Sequence, residues 1–185
     1  MLTLKSSTVA FKEWSLVCDA LEAGRQAIIL RKGGIAEGRG GFQWQKDAFL
    51  LFPTLFHEQD QRVTWRSDHP APEAPDGFVD IRLFAQLEGS WTITDWKKAA
   101  ALAPLHIWTE DVIRDRFGYG DSTGLSLALL RVHRLPSPWR LPMQPSFGGC
   151  RSWLDLPEHE TENLTAVLSD DAFTAIKAQV EEIVG

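Results

Sequence analysis

Two apolar runs, AIIL at residues 27–30 and FLLFP at 49–53, are separated by a basic, glycine-rich stretch that carries no helical pattern. Each run has the length of a buried strand bounded by glycine or proline. Just before the first run and in the stretch after it stand Arg25, Arg31, Lys32, Arg39 and Lys46 against the one acid Glu37, so residues 25–46 hold five cations and one anion, net +4, in a chain of net charge −6. Gly33, Gly34, Gly38, Gly40 and Gly41 lie in the same stretch. Cations gathered around glycines suit a place where backbone and an anion approach closely, because glycine leaves no side chain in the way. The plainer reading is a hairpin whose glycines satisfy positive φ and whose cations face water.

The remaining segments do not alternate as βαβ units would. Residues 8–23 set Val9, Phe11, Trp14, Val17, Cys18 and Leu21 at helical spacing, with Ser7 or Thr8 as cap and Gly24 as stop, which predicts an N-terminal helix. Phe42 and Trp44 alternate with Gln43 and Gln45, as in a half-buried strand leading into FLLF, which Pro53 ends. SDHPAPEAPDG at 67–77 is a surface loop. FVDIRLFAQL at 78–87 predicts a strand, and SWTIT continues it after a hairpin-like turn at Gly89. Short helices are expected at 95–103, capped by Asp95, and at 109–117, where Thr109 precedes Glu110 and Asp111. Residues 124–135 are the longest strand candidate, and Ser169 caps a C-terminal helix with Phe173, Ile176, Val180 and Ile183 on one stripe. The fold class is therefore α+β, with a mostly antiparallel, curved sheet or small barrel. Residues 1–156 are expected to form one domain. Residues 157–185 form a helical extension packed on it, and residues 155–185 hold eight acids and one lysine, net −7.

Composition narrows the class. A chain of 185 residues, 44% hydrophobic and 24% charged, suits one globular domain. Eight tryptophans against one tyrosine form either core or a stacking platform for a base. No run is long enough to cross a membrane as a helix and no secretory leader is evident, so a cytoplasmic protein with no membrane partner is expected. Cys18 and Cys150 lie in unlike contexts and are expected to be reduced.

The motifs KEW (12–14), AIILRKGGI (27–35), FLLFPT followed by HEQ (49–59), HIWT (106–109) and GGCRSW (148–153) together resemble a bacterial family, domain of unknown function 1802. That resemblance spans roughly residues 10–156 and brings no activity with it. More distantly, the order of elements resembles PUA-like β-barrels of the ASCH and EVE type. The matching parts are an opening helix, a strand from Gly24 to an Arg-Lys pair at 31–32, and a short helix (109–117) before a long strand (124–135). This second resemblance implies a small barrel with a cleft for RNA or modified bases.

The function expected from these readings is a non-catalytic binding domain. Its cleft would be lined by Arg31, Lys32, Gly33, Gly34, Arg39, His57, Trp108 and Arg116 and would take nucleic acid, a modified base or a phosphorylated small molecule. Trp108 would stack a base and an arginine would meet a phosphate, against a plainer reading in which Trp108 is core and Asp111 pairs with Arg114. No catalytic residue, cofactor or metal site is assigned, since no His or Cys pair has ligand spacing and no GxxxxGK[ST] occurs. Two rival classes remain. One is a hydrolase or nuclease using His57 and Glu58, or Cys150 beside Arg151; the other is an interaction module that uses the acidic last helix.

Overall fold

The computed structural model describes residues 6–32, 42–55, 58–70, 73–120 and 123–185. Its elements are β1 (Ser6–Trp14), α1 (Ser15–Glu22), β2 (Ile28–Arg31), β3 (Ala48–Thr54), β4 (Phe78–Ile93), α2 (Trp96–Ala101), α3 (Glu110–Gly118), β5 (Leu125–Pro142), β6 (Trp153–Glu160), β7 (Thr165–Ala166) and α4 (Asp170–Val184). The strands form one sheet in the order β2-β5-β4-β3-β1-β6, with β7 also on β5. Among the described residues only β1 and β3 run parallel; the other pairings are antiparallel. The mixed α+β class with a curved sheet is as the sequence predicts.

The curvature follows from one distance. β2 and β1 stand four places apart in the strand order, which in a flat sheet is about 19 Å at the usual spacing. Yet the Arg31 guanidinium of β2 donates to the Lys12 carbonyl of β1 at 2.6 Å. The sheet must curl until these strands face each other. The ladder does not close there: among the described residues the strand partner of β2 is β5. Side chains bridge the seam instead.

Both sheet faces are buried. Phe11, Leu51, Leu83 and Ala85 join residues of all four helices, among them Leu21, Ala99, Ile113, Phe173 and Val180, in one core. Their neighbours Ala10, Leu50, Phe52 and Phe84 face the other way, into a second core with Leu141, Phe147 and Leu154. This two-sided burial explains the first correction. Residues 8–14, expected to open a helix, are strand, and the helix begins at Ser15. A strand buried on both faces shows no polar alternation, so its apolar residues mimic helical spacing.

Three further expectations change. Pro53 lies within β3, where it is the partner of Glu13 in the parallel pairing, instead of ending the strand. Phe42 and Trp44 sit in irregular chain and pack with Phe11, Phe49 and Trp153 in an aromatic cluster at centroid distances of 4.8 to 6.4 Å. At Gly89 there is no hairpin: β4 runs on to Ile93 with register shifts between Ile81 and Leu83 and between Leu87 and Gly89. Glycine is required at 89 because a Cβ there would run into the Trp91 ring.

Partly buried ion pairs fix α1 to the sheet. Arg82 of β4 donates to Asp19 at 2.6 Å and Glu22 at 2.7 Å, and Arg134 donates to the Glu22 carbonyl. At the other end of the chain, the Ser169 hydroxyl accepts from the Ala172 amide at 3.2 Å and caps α4, as expected. Ser169→Ala should cost about 1 kcal/mol, read as a fall of roughly 2–4 °C in Tm. An unchanged Tm would show that the cap is solvated equally well without the hydroxyl.

Candidate functional site

Charge collects at the seam. Glu13 lies on the same face of β1 as Phe11, since alternate strand residues share a face, and its side chain is 0% exposed. One carboxylate oxygen, Oε1, accepts the Trp14 amide at 2.8 Å. The other, Oε2, stands 4.0 Å from the Arg31 Nε, and neither atom has a hydrogen-bond partner. Arg31 is only 19% exposed, with Nη2 on the Lys12 carbonyl and its guanidinium carbon 4.8 Å from the centre of the Phe11 ring.

Arg116 is delivered by α3. Val112 and Ile113 bury one face of that helix, and Arg116 falls four and three residues further along, on the same face. Its Nη1 donates to the Leu30 carbonyl at 2.9 Å. Its guanidinium carbon lies 4.9 Å from the Trp14 ring centre and 4.8 Å from that of Trp108. Burial pushes its pKa from 12.5 down to about 10; Glu13 opposes this, while Arg31 and Arg62 add to it. Arg116 is therefore a cation at neutral pH, held there chiefly at the cost of its burial.

A short pairing places Trp108 and Arg62 together. The Thr64 amide donates to the Ile107 carbonyl at 2.7 Å, the Thr109 amide to the Arg62 carbonyl at 3.0 Å, and Val63 bridges to Trp108. Gln26 ties the same segment to β2: its Oε1 accepts the Ile107 amide at 3.0 Å and its Nε2 donates to the Ile28 carbonyl at 2.6 Å. Arg62 is 43% exposed and approaches Glu58 at 3.7 Å. Behind this layer, His106 is 2% exposed, with neither ring nitrogen in a well-formed hydrogen bond. Burial first, then Arg116, pushes its pKa down to about 4; the Trp108 backbone opposes the shift and Arg25 adds to it. His106 is neutral at pH 7.

Of the residues expected to line the cleft, Arg31, Trp108 and Arg116 do come together. Lys32 donates to the Phe117 carbonyl at 3.3 Å, near the end of α3 where a cation meets the negative end of the helix dipole. Gly33, Gly34, Arg39 and His57 lie outside the described residues. Trp108 is 2% exposed and lies against Arg116, so it backs the cation from the core. Arg114 pairs with Glu110, not with Asp111, and stacks on Trp96. Glu58 is 71% exposed, and Cys150 is exposed beside Lys12, whose ammonium donates to the Gly149 carbonyl at 3.0 Å. Among the described residues the large exposed apolar side chains are Leu55, Phe78, Tyr119 and Met143, none of them on α4.

Three participants were missed by sequence reasoning: Glu13, Trp14 and Arg62. The signal for the first was a lone acid in the apolar run TVAFKEW, which a helical reading sends to solvent and a strand reading sends inside. Chemically, the assembled site sets the Arg31 and Arg116 guanidinium groups beside the buried Glu13 carboxylate, with the half-exposed Arg62 close enough to act on Arg116 and two buried polar atoms, Glu13 Oε2 and Arg31 Nε, without a hydrogen-bond partner. That set can hold an anion without rearranging.

Among solved structures, the chain is similar to ASCH from Zymomonas mobilis and to two single-residue variants of that protein. Identity is 12%, coverage is 92% of this chain and 93%, 94% and 96% of the three others, and TM-scores are 0.48, 0.49 and 0.48. No functionally curated protein matches the chain. The profile of the domain of unknown function DUF1802 matches residues 10–179, and with that span covered the chain belongs to this family.

Proposed function

We propose that the chain is a non-catalytic binding domain that takes the phosphate of a nucleic-acid segment, a modified base or a phosphorylated small molecule at the Arg31–Arg62–Arg116 site. One observation carries the reading. Arg31 forms a long ion pair with Glu13 at 4.0 Å, Arg116 feels Glu13, Arg31 and Arg62 together, and both Arg31 and Arg116 commit a donor to a backbone carbonyl, of Lys12 and Leu30. Their charge is held in place and left under-compensated, as a phosphate-binding site requires. The overall charge of −6 speaks for a local site over a broad coating of DNA, since coating needs many phosphate contacts from an extended basic face.

The test is a double substitution, Arg31→Ala with Arg62→Ala, measured against short labelled oligonucleotides and nucleotides at several salt concentrations. Affinity should fall at least about tenfold, and the slope of log K against log salt should flatten by roughly 1.5 as two phosphate contacts disappear. Parent and variant chains with the same affinity and slope would remove the proposal.

A further inference from the structure

We infer that the site is built for a hydroxylated phosphate ester and not for a bare phosphate; this rests on the phosphate-binding reading above. The warrant is Glu13 Oε2. It belongs to a side chain with no exposure, has no hydrogen-bond partner, and stands 4.0 Å from Arg31 Nε, an ion pair too long for a hydrogen bond. A buried carboxylate oxygen left without a donor is costly. The nearby arginines do not satisfy it, because Arg31 Nη2 is on the Lys12 carbonyl and Arg116 Nη1 is on the Leu30 carbonyl. A phosphate oxygen placed there would meet a like charge.

The group that would satisfy Oε2 is a neutral donor, with the phosphate joined to it turned toward Arg31, Arg62 and Arg116. Arg31 Nε, also unpartnered, sits between the two subsites and can donate to the ester oxygen or the phosphate. A phosphate ester with a hydroxyl close to the ester linkage supplies both halves. Sugar phosphates do so as free metabolites and as ribonucleotide units.

Glu13 also offers a sharp variant. Its Oε1 accepts the Trp14 amide at 2.8 Å, so in Glu13→Gln the amide oxygen is fixed on that N–H and the NH2 takes the place of Oε2. An acceptor becomes a donor without a change of shape. The experiment is calorimetric titration of the full chain with inorganic phosphate, n-propyl phosphate and glycerol 3-phosphate; the last two share a three-carbon skeleton and differ in the hydroxyls. The parent chain should bind glycerol 3-phosphate at least about tenfold tighter than propyl phosphate, the discrimination expected of a hydrogen bond to a charged group. In Glu13→Gln the preference should vanish, and propyl phosphate should bind more tightly because a like charge is gone.

Equal binding of the two esters by the parent chain would overturn this inference and leave the phosphate site standing. Failure of all three ligands to bind would end both. The parent ratio decides the matter even if Glu13→Gln melts too early to titrate. Ribo- and deoxyribo-trinucleotides form a last arm: a preference for the ribo form points to nucleic acid as the source of the ester, and equal binding with a strong glycerol 3-phosphate preference points to a free metabolite.

Discussion

Arg116→Ala is expected to melt roughly 10 °C below the parent chain, the shift that about 3–4 kcal/mol produces in a domain of this size. Three losses add up. The Leu30 carbonyl, which faces the seam, loses its donor and joins the class of buried unsatisfied groups, at about 1–3 kcal/mol. Contacts with the Trp14 and Trp108 rings disappear, each worth about 0.5–2 kcal/mol when desolvated. Truncation also opens a void between two large rings. Relief of repulsion from Arg31 and Arg62 acts in the opposite direction and keeps the total below a plain sum. Arg116→Lys should recover less than half of the loss, because an ammonium has no flat face to lay on two indoles. Thermal melts of the three proteins settle the point, and an alanine variant melting within about 2 °C of the parent would show that the stacked cation supports nothing.

His106 carries the second large effect, through pH. Its folded pKa is about 4 against an ordinary value of 6.5. Below pH 6.5 the unfolded chain takes up a proton that the folded chain refuses until about pH 4. Stability is therefore full above 6.5 and falls as pH drops through that window, by about 3 kcal/mol at its lower end. His106→Phe removes the titrating group and fills the space with a ring that needs no partner. Chemical denaturation at pH 7 should find the variant close to the parent; at pH 4.5 the variant should be the more stable by about 2–3 kcal/mol. Parallel stability profiles for the two proteins across this range would mean that His106 is protonated as readily inside as outside. His133 and His159 also have lowered values, through burial, and are common to both proteins, so the comparison isolates His106.

What the sequence made legible was local. Caps at Asp95 and Ser169, the acids opening α3, the apolar runs of β2 and β3, and the long β5 each declare themselves within a few neighbouring residues. Arg31, Trp108 and Arg116 were also found, from the charge inversion after β2 and from the helix beginning at Thr109. What stayed hidden depended on residues far apart. Residues 8–14 are strand because Ala10 packs into one core and Phe11 into the other, and neither core is visible from nearest neighbours. Once that segment was taken for helix, Glu13 could not be placed inside. Gly89 looked like a turn because the reason for it, the Trp91 ring lying against its Cα, is a packing fact. The tryptophans resisted for a similar cause: Trp44, Trp108 and Trp153 are held by ring contacts, with their indole nitrogens unpartnered, so the usual rule that a buried indole seeks an acceptor gave no guide.

The seam between β2 and β1 has a mechanical consequence. A joint fastened by guanidinium groups and not by a main-chain ladder can spring without unravelling any strand pairing, since β2 keeps its full register with β5 from Ile28–Leu129 to Arg31–Ser126. It behaves as a clasp. An anion seated between the arginines would rivet both rims at once, so occupancy of the site should be felt as a stiffening of the curled sheet and in slower hydrogen exchange along β2.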